Sequence, residues 1–233
     1  MRFRLPFGPR SRKRLWQNRA ANCFDMTKLI IVRHAQSESN NAQFFAAATN
    51  VNLTELGRAQ AESTAEFLKD THIDVAYSSD LVRVVQTVKP IVRGRNIPIT
   101  YMRGLREIDG GGFEGLTYEE VKERYPYERG MWYDDLLNCY CPNGESMYDV
   151  CNRVSKAFDE IIESNCGKTI LVATHACALR VMMPRFLEIP FSELNSIEWA
   201  PNASVTVVEV DDNNNYKVTL QGYNQHHVDA GLV

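Results

Sequence analysis

The sequence predicts an α/β fold: a three-layer α/β/α sandwich around a mostly parallel sheet, with a small inserted cap. Short apolar, β-branched runs alternate with stretches of helical periodicity, the pattern of strands joined by crossover helices. Near the C-terminus two such runs flank the polar segment Asp211–Asn215, which reads as a hairpin turn. The length, 233 residues, suits one such domain.

Taken in order, residues 28–32 (Lys-Leu-Ile-Ile-Val) read as a buried strand that runs straight into Arg33-His34. Residues 54–69 read as a helix, with Thr54 able to cap and Leu56, Ala59, Ser63 and Phe67 recurring on one face. A second strand is predicted over 73–77, followed by Ser78-Ser79. The next helix begins near Ser79 or Asp80, presents Val82, Val85 and Val88 on one face, and is bent or ended by Pro90. Residues 97–101 supply a third strand.

From Leu105 to Pro142 the periodicity weakens, and the cap is placed at about 110–142. Gly110, Gly111 and Gly112 form a stretch that a large side chain would obstruct. Thr117 and Glu120 have capping-box spacing and open a short helix to Tyr125. Tyr125, Tyr127, Trp132, Tyr133 and Tyr140 are expected to pack the cap rather than line a pocket. Residues 146–163 form an amphipathic helix whose stripe is Met147, Val150, Cys151, Val154, Phe158, Ile161 and Ile162. A strand over 168–174 runs into His175, a helix follows through Phe186, and strands over 204–210 and 216–221 make the hairpin.

Composition narrows the function classes. Apolar content of 44% with 24% charged residues is that of an ordinary globular protein, and no run approaches the ~20 apolar residues that span a bilayer. Residues 1–25 carry seven basic groups against one acid, Asp25, so +6 of the total −3 sits there and −9 sits on the rest. An acidic body argues against a nucleic-acid surface. The basic leader has no apolar stretch of a secretory signal and is expected to lie outside the folded domain, 26–233, which is assigned to the cytoplasm. Cys139 and Cys141 lack the second close Cys/His pair of a zinc site, and His226-His227 are adjacent, a spacing that rarely serves one metal. No metal or cofactor is expected; a second copy of the chain is a possible partner. His72, near a helix end, reads as a surface residue.

In open sheets of this kind ligands bind beyond the carboxyl ends of the strands. Arg33-His34, Ser78-Ser79 and His175 all fall there, although they are far apart in sequence. Singly, each has an ordinary use: a histidine after a strand as a hydrogen-bonded core residue, Arg83 as a helix-surface ion pair, Glu107 as a solvated loop acid. Together, at strand ends, they read as a site.

The run Arg33-His34-Ala35-Gln36-Ser37-Glu38-Ser39-Asn40 resembles the signature of the histidine phosphatase superfamily, the phosphoglycerate mutase-like family. Further blocks resemble it in the same order. They are Leu53-Thr54 with Gly57 and Gln60-Ala61; Ser79-Asp80-Leu81 with Arg83 and Gln86-Thr87; Leu105-Arg106-Glu107 with Phe113-Glu114-Gly115; Gly144-Glu145-Ser146 with Arg153; and Ala173-Thr174-His175. The resemblance implies a phosphomonoester hydrolase acting through a phosphohistidine, with a small phosphorylated metabolite as substrate. His34 would attack phosphorus, and Glu107 would protonate the leaving oxygen and then activate water. Arg33, Arg83, His175 and Asn40 would hold the phosphate. The chemistry is consistent: a phosphoryl group in transfer spreads charge over three oxygens, which two guanidiniums can grip bidentately.

Ala35, Gln36, Phe113 and Ala176 depart from the usual Gly, Glu, Trp and Gly, which leaves room for lowered turnover or a shifted substrate. The alternatives are therefore phosphoglycerate mutase activity and a low-turnover phosphate-ester-binding regulatory protein. The 36 residues between Glu107 and Gly144 hold no adjacent basic pair of the mutase kind. Glu119, Glu120, Glu123, Glu128, Asp134 and Asp135 are expected to repel multiply anionic substrates there.

Overall fold

A computed structural model describes residues 26–233. The predicted basic leader, 1–25, lies outside the described residues. The elements are β1 (Thr27–Arg33), α1 (Glu38–Ala42), α2 (Glu55–Phe67), β2 (Val75–Ser78), α3 (Val82–Val92), β3 (Ile99–Tyr101), α4 (Tyr118–Arg124), α5 (Pro126–Asp134), α6 (Met147–Ser164), β4 (Thr169–Thr174), α7 (Ala176–Phe186), β5 (Val205–Val210), β6 (Tyr216–Tyr223) and α8 (Gln225–Asp229).

The apolar runs of β1 and β4 lie side by side, in parallel, at the centre of a six-stranded sheet ordered β3-β2-β4-β1-β5-β6. The β3-β2, β2-β4 and β4-β1 pairs are parallel, whereas β5 and β6 form the predicted hairpin and pair antiparallel, so the sheet is mixed. A strand covered on both faces must be apolar on both, which is why 28–32 does not alternate. Leu29 and Ile31 join Phe158 of α6 and Phe186 of α7 on one face, while Ile30 and Val32 join Val84 and Val88 of α3 on the other. The large core continues into the segment 110–142 through Val121, Leu136, Cys139 and Cys141.

The amphipathic helix of 146–163 is α6, capped by the Ser146/Asp149 box. The Thr117/Glu120 box opens α4 as predicted. Gly111 has φ +49, and a Cβ there would meet the Pro142 carbonyl oxygen at 2.3 Å, so the obstruction read at the glycine stretch holds at this position.

Two helix faces differ from the periodicity reading. Residues Gly57, Gln60, Ala61 and Thr64 are the buried face of α2, and Phe67 is exposed. On α3 the buried set is Arg83, Val84, Thr87, Val88 and Ile91, and Pro90 lies within the helix instead of ending it. The helices α1, α5 and α8 are additions to the sequence reading. His72 is exposed and pairs with Asp74, as a surface residue would. No helix among the described residues is long and apolar enough to cross a membrane.

Candidate active site

Three parallel strands end at the same edge of the sheet. Register pairs Arg33 with Thr174 and Ser78 with Ala173, so His34, Ser79 and His175 follow at adjacent strand ends. The His34 and His175 rings meet edge to face, with centroids 5.2 Å apart. His34 is 4% exposed and His175 fully buried.

The protonation of His34 follows from its partner. Its Nδ1 lies 2.8 Å from the Ala35 carbonyl oxygen, which can only accept, so Nδ1 carries the hydrogen and Nε2 keeps a lone pair. Burial, then the charges of Arg83 and Arg33, hold the imidazole pKa well below its ordinary 6.5. The ring is uncharged at neutral pH. Its loop is pinned on every side. The His34 carbonyl accepts from the Asn202 amide at 3.0 Å, Ala35 N–H donates to Thr87 Oγ1 at 3.0 Å, and Gln36 N–H donates to Gln60 Oε1 at 2.9 Å. The other end of Gln60 donates to the Leu232 carbonyl at 2.9 Å, behind α8.

His175 Nε2 lies 2.8 Å from Ser79 Oγ, and its Nδ1 is buried without a hydrogen-bond partner. Burial first, then the charges of Arg83, His34 and Arg33, lowers its pKa well below 6.5 too.

Arg83 is 2% exposed, donates to the carbonyls of Ala47 at 2.8 Å and Thr49 at 3.0 Å, and is lowered to about 10 by burial, so it stays charged at neutral pH. Two of its five N–H groups are spent on that loop and three remain. Arg33 donates to the Ala200 carbonyl, and its Nε is buried without a partner. Asn40 Oδ1 accepts from Ser37 N–H, Ser37 Oγ and Asn202 Nδ2. Three donors on the oxygen fix the amide orientation and leave Nδ2 as the donor end.

Glu107 is held by the N-terminus of α7. Cys177 N–H donates to Oε1 at 3.0 Å and Oε2 at 3.3 Å, and Ile108 N–H to Oε1 at 3.1 Å. Unpaired N–H groups of a first helical turn suit a carboxylate. The backbone under it is fixed by Arg153, which pairs bidentately with Glu145 at 2.8 and 2.7 Å and donates to the carbonyls of Gly104, Arg106 and Glu107. Arg33, His34, Asn40, Arg83 and Glu107 all line one cleft with about 310 Å³ of free volume. His175 stands behind it, in contact with His34.

The sequence profile of the histidine phosphatase superfamily (branch 1) matches residues 29–222. The chain belongs to this superfamily. It is 33% identical over 195 residues to phosphoserine phosphatase 1 of Hydrogenobacter thermophilus, covering 84% of this chain and 92% of that protein. It is 32% identical over 182 residues to a 2,3-bisphosphoglycerate-dependent phosphoglycerate mutase of Cytophaga hutchinsonii, covering 76% and 85%. Among solved structures, Bacillus stearothermophilus YhfR superposes with a TM-score of 0.82 at 29% identity, covering 86% of this chain and 98% of that one.

Three of the histidine phosphatase departures lie away from the cleft. Ala35 packs in a small cluster with Leu53, Ala61 and Ala203. Gln36 accepts from the Thr54 hydroxyl at 2.7 Å, and Phe113 is fully buried in the core. Only Ala176 lines the cleft. The expected acidic repulsion is corrected: none of the six cap acids lines the cleft. Glu120 instead caps α4, Glu128 accepts from Tyr140, and Asp135 accepts from Asn138. Trp132 and Tyr133 do line it, against the packing expectation, while Tyr125 and Trp132 also pack on the core.

Sequence reasoning missed Asn202 and undervalued Thr87 and Gln60. The last two stood in the matching blocks, and their buried polar positions on apolar helix faces were the available signal. Asn202, far along the chain in a loop, carried none.

Proposed function

We propose that this chain hydrolyses phosphate monoesters through a phosphohistidine on His34. The observation that carries the reading is the clamp of His34 Nδ1 on the Ala35 carbonyl, which leaves an uncharged Nε2 beside two guanidiniums. A neutral nitrogen is a nucleophile, and the surrounding positive charge attracts the phosphate and stabilises the charge spread over its equatorial oxygens.

His34 Nε2 forms a bond to phosphorus as the ester P–O bond breaks, and protonated Glu107 gives its proton to the leaving oxygen. Arg33, Arg83 and Asn40 Nδ2 hold the phosphate oxygens. With the Ser79 hydroxyl donating to its Nε2, His175 would carry its hydrogen on the unpartnered Nδ1 and orient that N–H as a further donor from behind the cleft. Glu107, now a carboxylate, removes a proton from water as its oxygen attacks phosphorus. The N–P bond breaks, inorganic phosphate leaves, and His34 is neutral again. Since positive side chains supply the charge stabilisation, no step is assigned to a metal ion.

The test is a phosphate ester labelled on phosphorus, turned over by the protein and quenched without acid. Label on His34, lost in His34→Ala, and turnover that survives a chelator support the reading. Turnover that never labels His34 overturns it. Conversion of 3-phosphoglycerate to 2-phosphoglycerate faster than phosphate release would assign a mutase instead. Phosphate-ester binding without turnover would assign the regulatory role.

A further inference from the structure

Beyond the phosphate-binding end, the cleft continues between aromatic side chains: Phe44, Phe45, Tyr118, Trp132, Tyr133 and Trp199. These rings form a connected surface. Phe45 meets Tyr118 and Trp132 edge to face, with centroids 5.1 and 5.8 Å apart. Trp132 and Trp199 stack at 6.3 Å. Rings that brace one another keep their shape without a ligand, so little ordering has to accompany binding.

One cation sits among them. The Arg129 guanidinium lies 4.4 Å from the Tyr133 ring centre and 5.6 Å from that of Tyr118, and it donates to the Tyr133 hydroxyl. It is half-buried, lines the cleft, and forms no ion pair among the described residues. The lining contains a single carboxylate, Glu107, which proton transfer already occupies. A substrate ammonium therefore finds no second acid here. The outer lining offers donors in Arg129 and the Trp132 indole N–H, which has no partner, but no carboxylate or amide acceptor beyond Glu107 and Asn40 at the phosphate end. A sugar's hydroxyls also need acceptors. A flat apolar ring with an anion at its far side fits both features.

We propose that this outer subsite selects phosphate monoesters of aromatic alcohols that carry a carboxylate, with the ring against the Phe45–Tyr118–Trp132 wall and the carboxylate on Arg129. The inference rests on the phosphohistidine reading above and names the substrate class of the same site.

The test compares n-propyl phosphate, benzyl phosphate, 4-carboxybenzyl phosphate and O-phosphoserine, all esters of alkyl alcohols, so that leaving-group chemistry varies little. From propyl to benzyl, kcat/KM is expected to rise roughly 10- to 100-fold, the worth of burying one ring. The carboxylate adds about another 10-fold, as a partly desolvated arginine pair would. Phosphoserine stays near propyl. Trp132→Ala collapses the benzyl-to-propyl ratio, and Trp132→Phe restores most of it. Arg129→Gln collapses the carboxybenzyl-to-benzyl ratio while the benzyl-to-propyl ratio persists.

The inference is overturned if propyl phosphate or phosphoserine matches benzyl phosphate, or if both variants lower all four substrates in proportion. If all four esters are hydrolysed through labelled His34 with ratios near one, this inference alone falls. If none labels His34, the catalytic reading falls with it.

Discussion

Glu107→Gln separates the two halves of the proposed cycle. Glutamine keeps the shape of the side chain, and its Oε1 can still accept from Cys177 N–H and Ile108 N–H, now 3.0 and 3.1 Å from the glutamate oxygen. The second contact from Cys177 N–H, at 3.3 Å, would face an amide nitrogen and is lost. Losing this weaker contact costs about 1 kcal/mol or less in folding. The chemical cost is larger. With an alkyl ester, whose leaving oxygen needs a proton, turnover should fall by roughly 10²–10⁴, or about 2.7–5.4 kcal/mol.

With 4-nitrophenyl phosphate the leaving phenolate needs no proton, so the first step survives. Attack by water still lacks its base. Rapid mixing should therefore show a burst of nitrophenolate, stoichiometric with enzyme, followed by slow steady release, and phosphohistidine should accumulate. Burst and steady phases that decline together, or alkyl-ester turnover equal to that of the unaltered protein, would refute the assignment of both proton transfers to Glu107.

Gly57→Ala places a Cβ 1.9 Å from the Gln36 carbonyl oxygen, so α2 must lift from the catalytic loop. Thermal melts should show a loss of roughly 1–3 kcal/mol, with residual turnover measured well below the melt reduced further. Arg153→Met removes the Glu145 pair and the donors to three carbonyls under Glu107. Urea denaturation should report a loss of about 2–3 kcal/mol, and kcat should fall more for alkyl than for nitrophenyl esters.

Four histidines, His34, His175, His226 (lowered to about 4) and His227, have depressed pKa values, chiefly through burial. The unfolded chain binds their protons near pH 6.5 and the folded chain does not. Stability should therefore be flat in this respect above about pH 6.5 and fall below it, towards the depressed folded values. Melting temperatures from pH 7.5 down to 4.5 check this, and His226→Gln with His227→Gln should flatten the slope.

Hydrophobic period identified β1, β4 and α6 because each meets the core as an unbroken run or a clean stripe. It missed the true faces of α2 and α3 for one shared reason. Those helices turn Gly57, Gln60, Thr64, Arg83 and Thr87 inward, and several of these serve the catalytic loop or grip a neighbouring one. An apolar count scores such residues as outward. Chemical type at strand ends marked Arg33, His34 and His175, and the motif blocks in order marked Asn40, Arg83 and Glu107; all of these but His175 line one cleft. Asn202 reaches the His34 carbonyl across 168 positions, and no local pattern encodes a contact of that range. The five aromatic residues do not behave alike: Tyr125 and Trp132 pack on the core, Trp132 and Tyr133 line the cleft, and Tyr127 and Tyr140 are exposed, a choice that depends on where α5 settles against Trp199.

Gln60 ties the segment after α8 to the loop that carries His34. One amide group carries Gln36 at its oxygen and Leu232 at its nitrogen, so the turn after α8 is pegged beneath the loop that carries His34. Gln60→Leu, which removes both hydrogen bonds, should loosen the His34 loop while leaving the sheet folded.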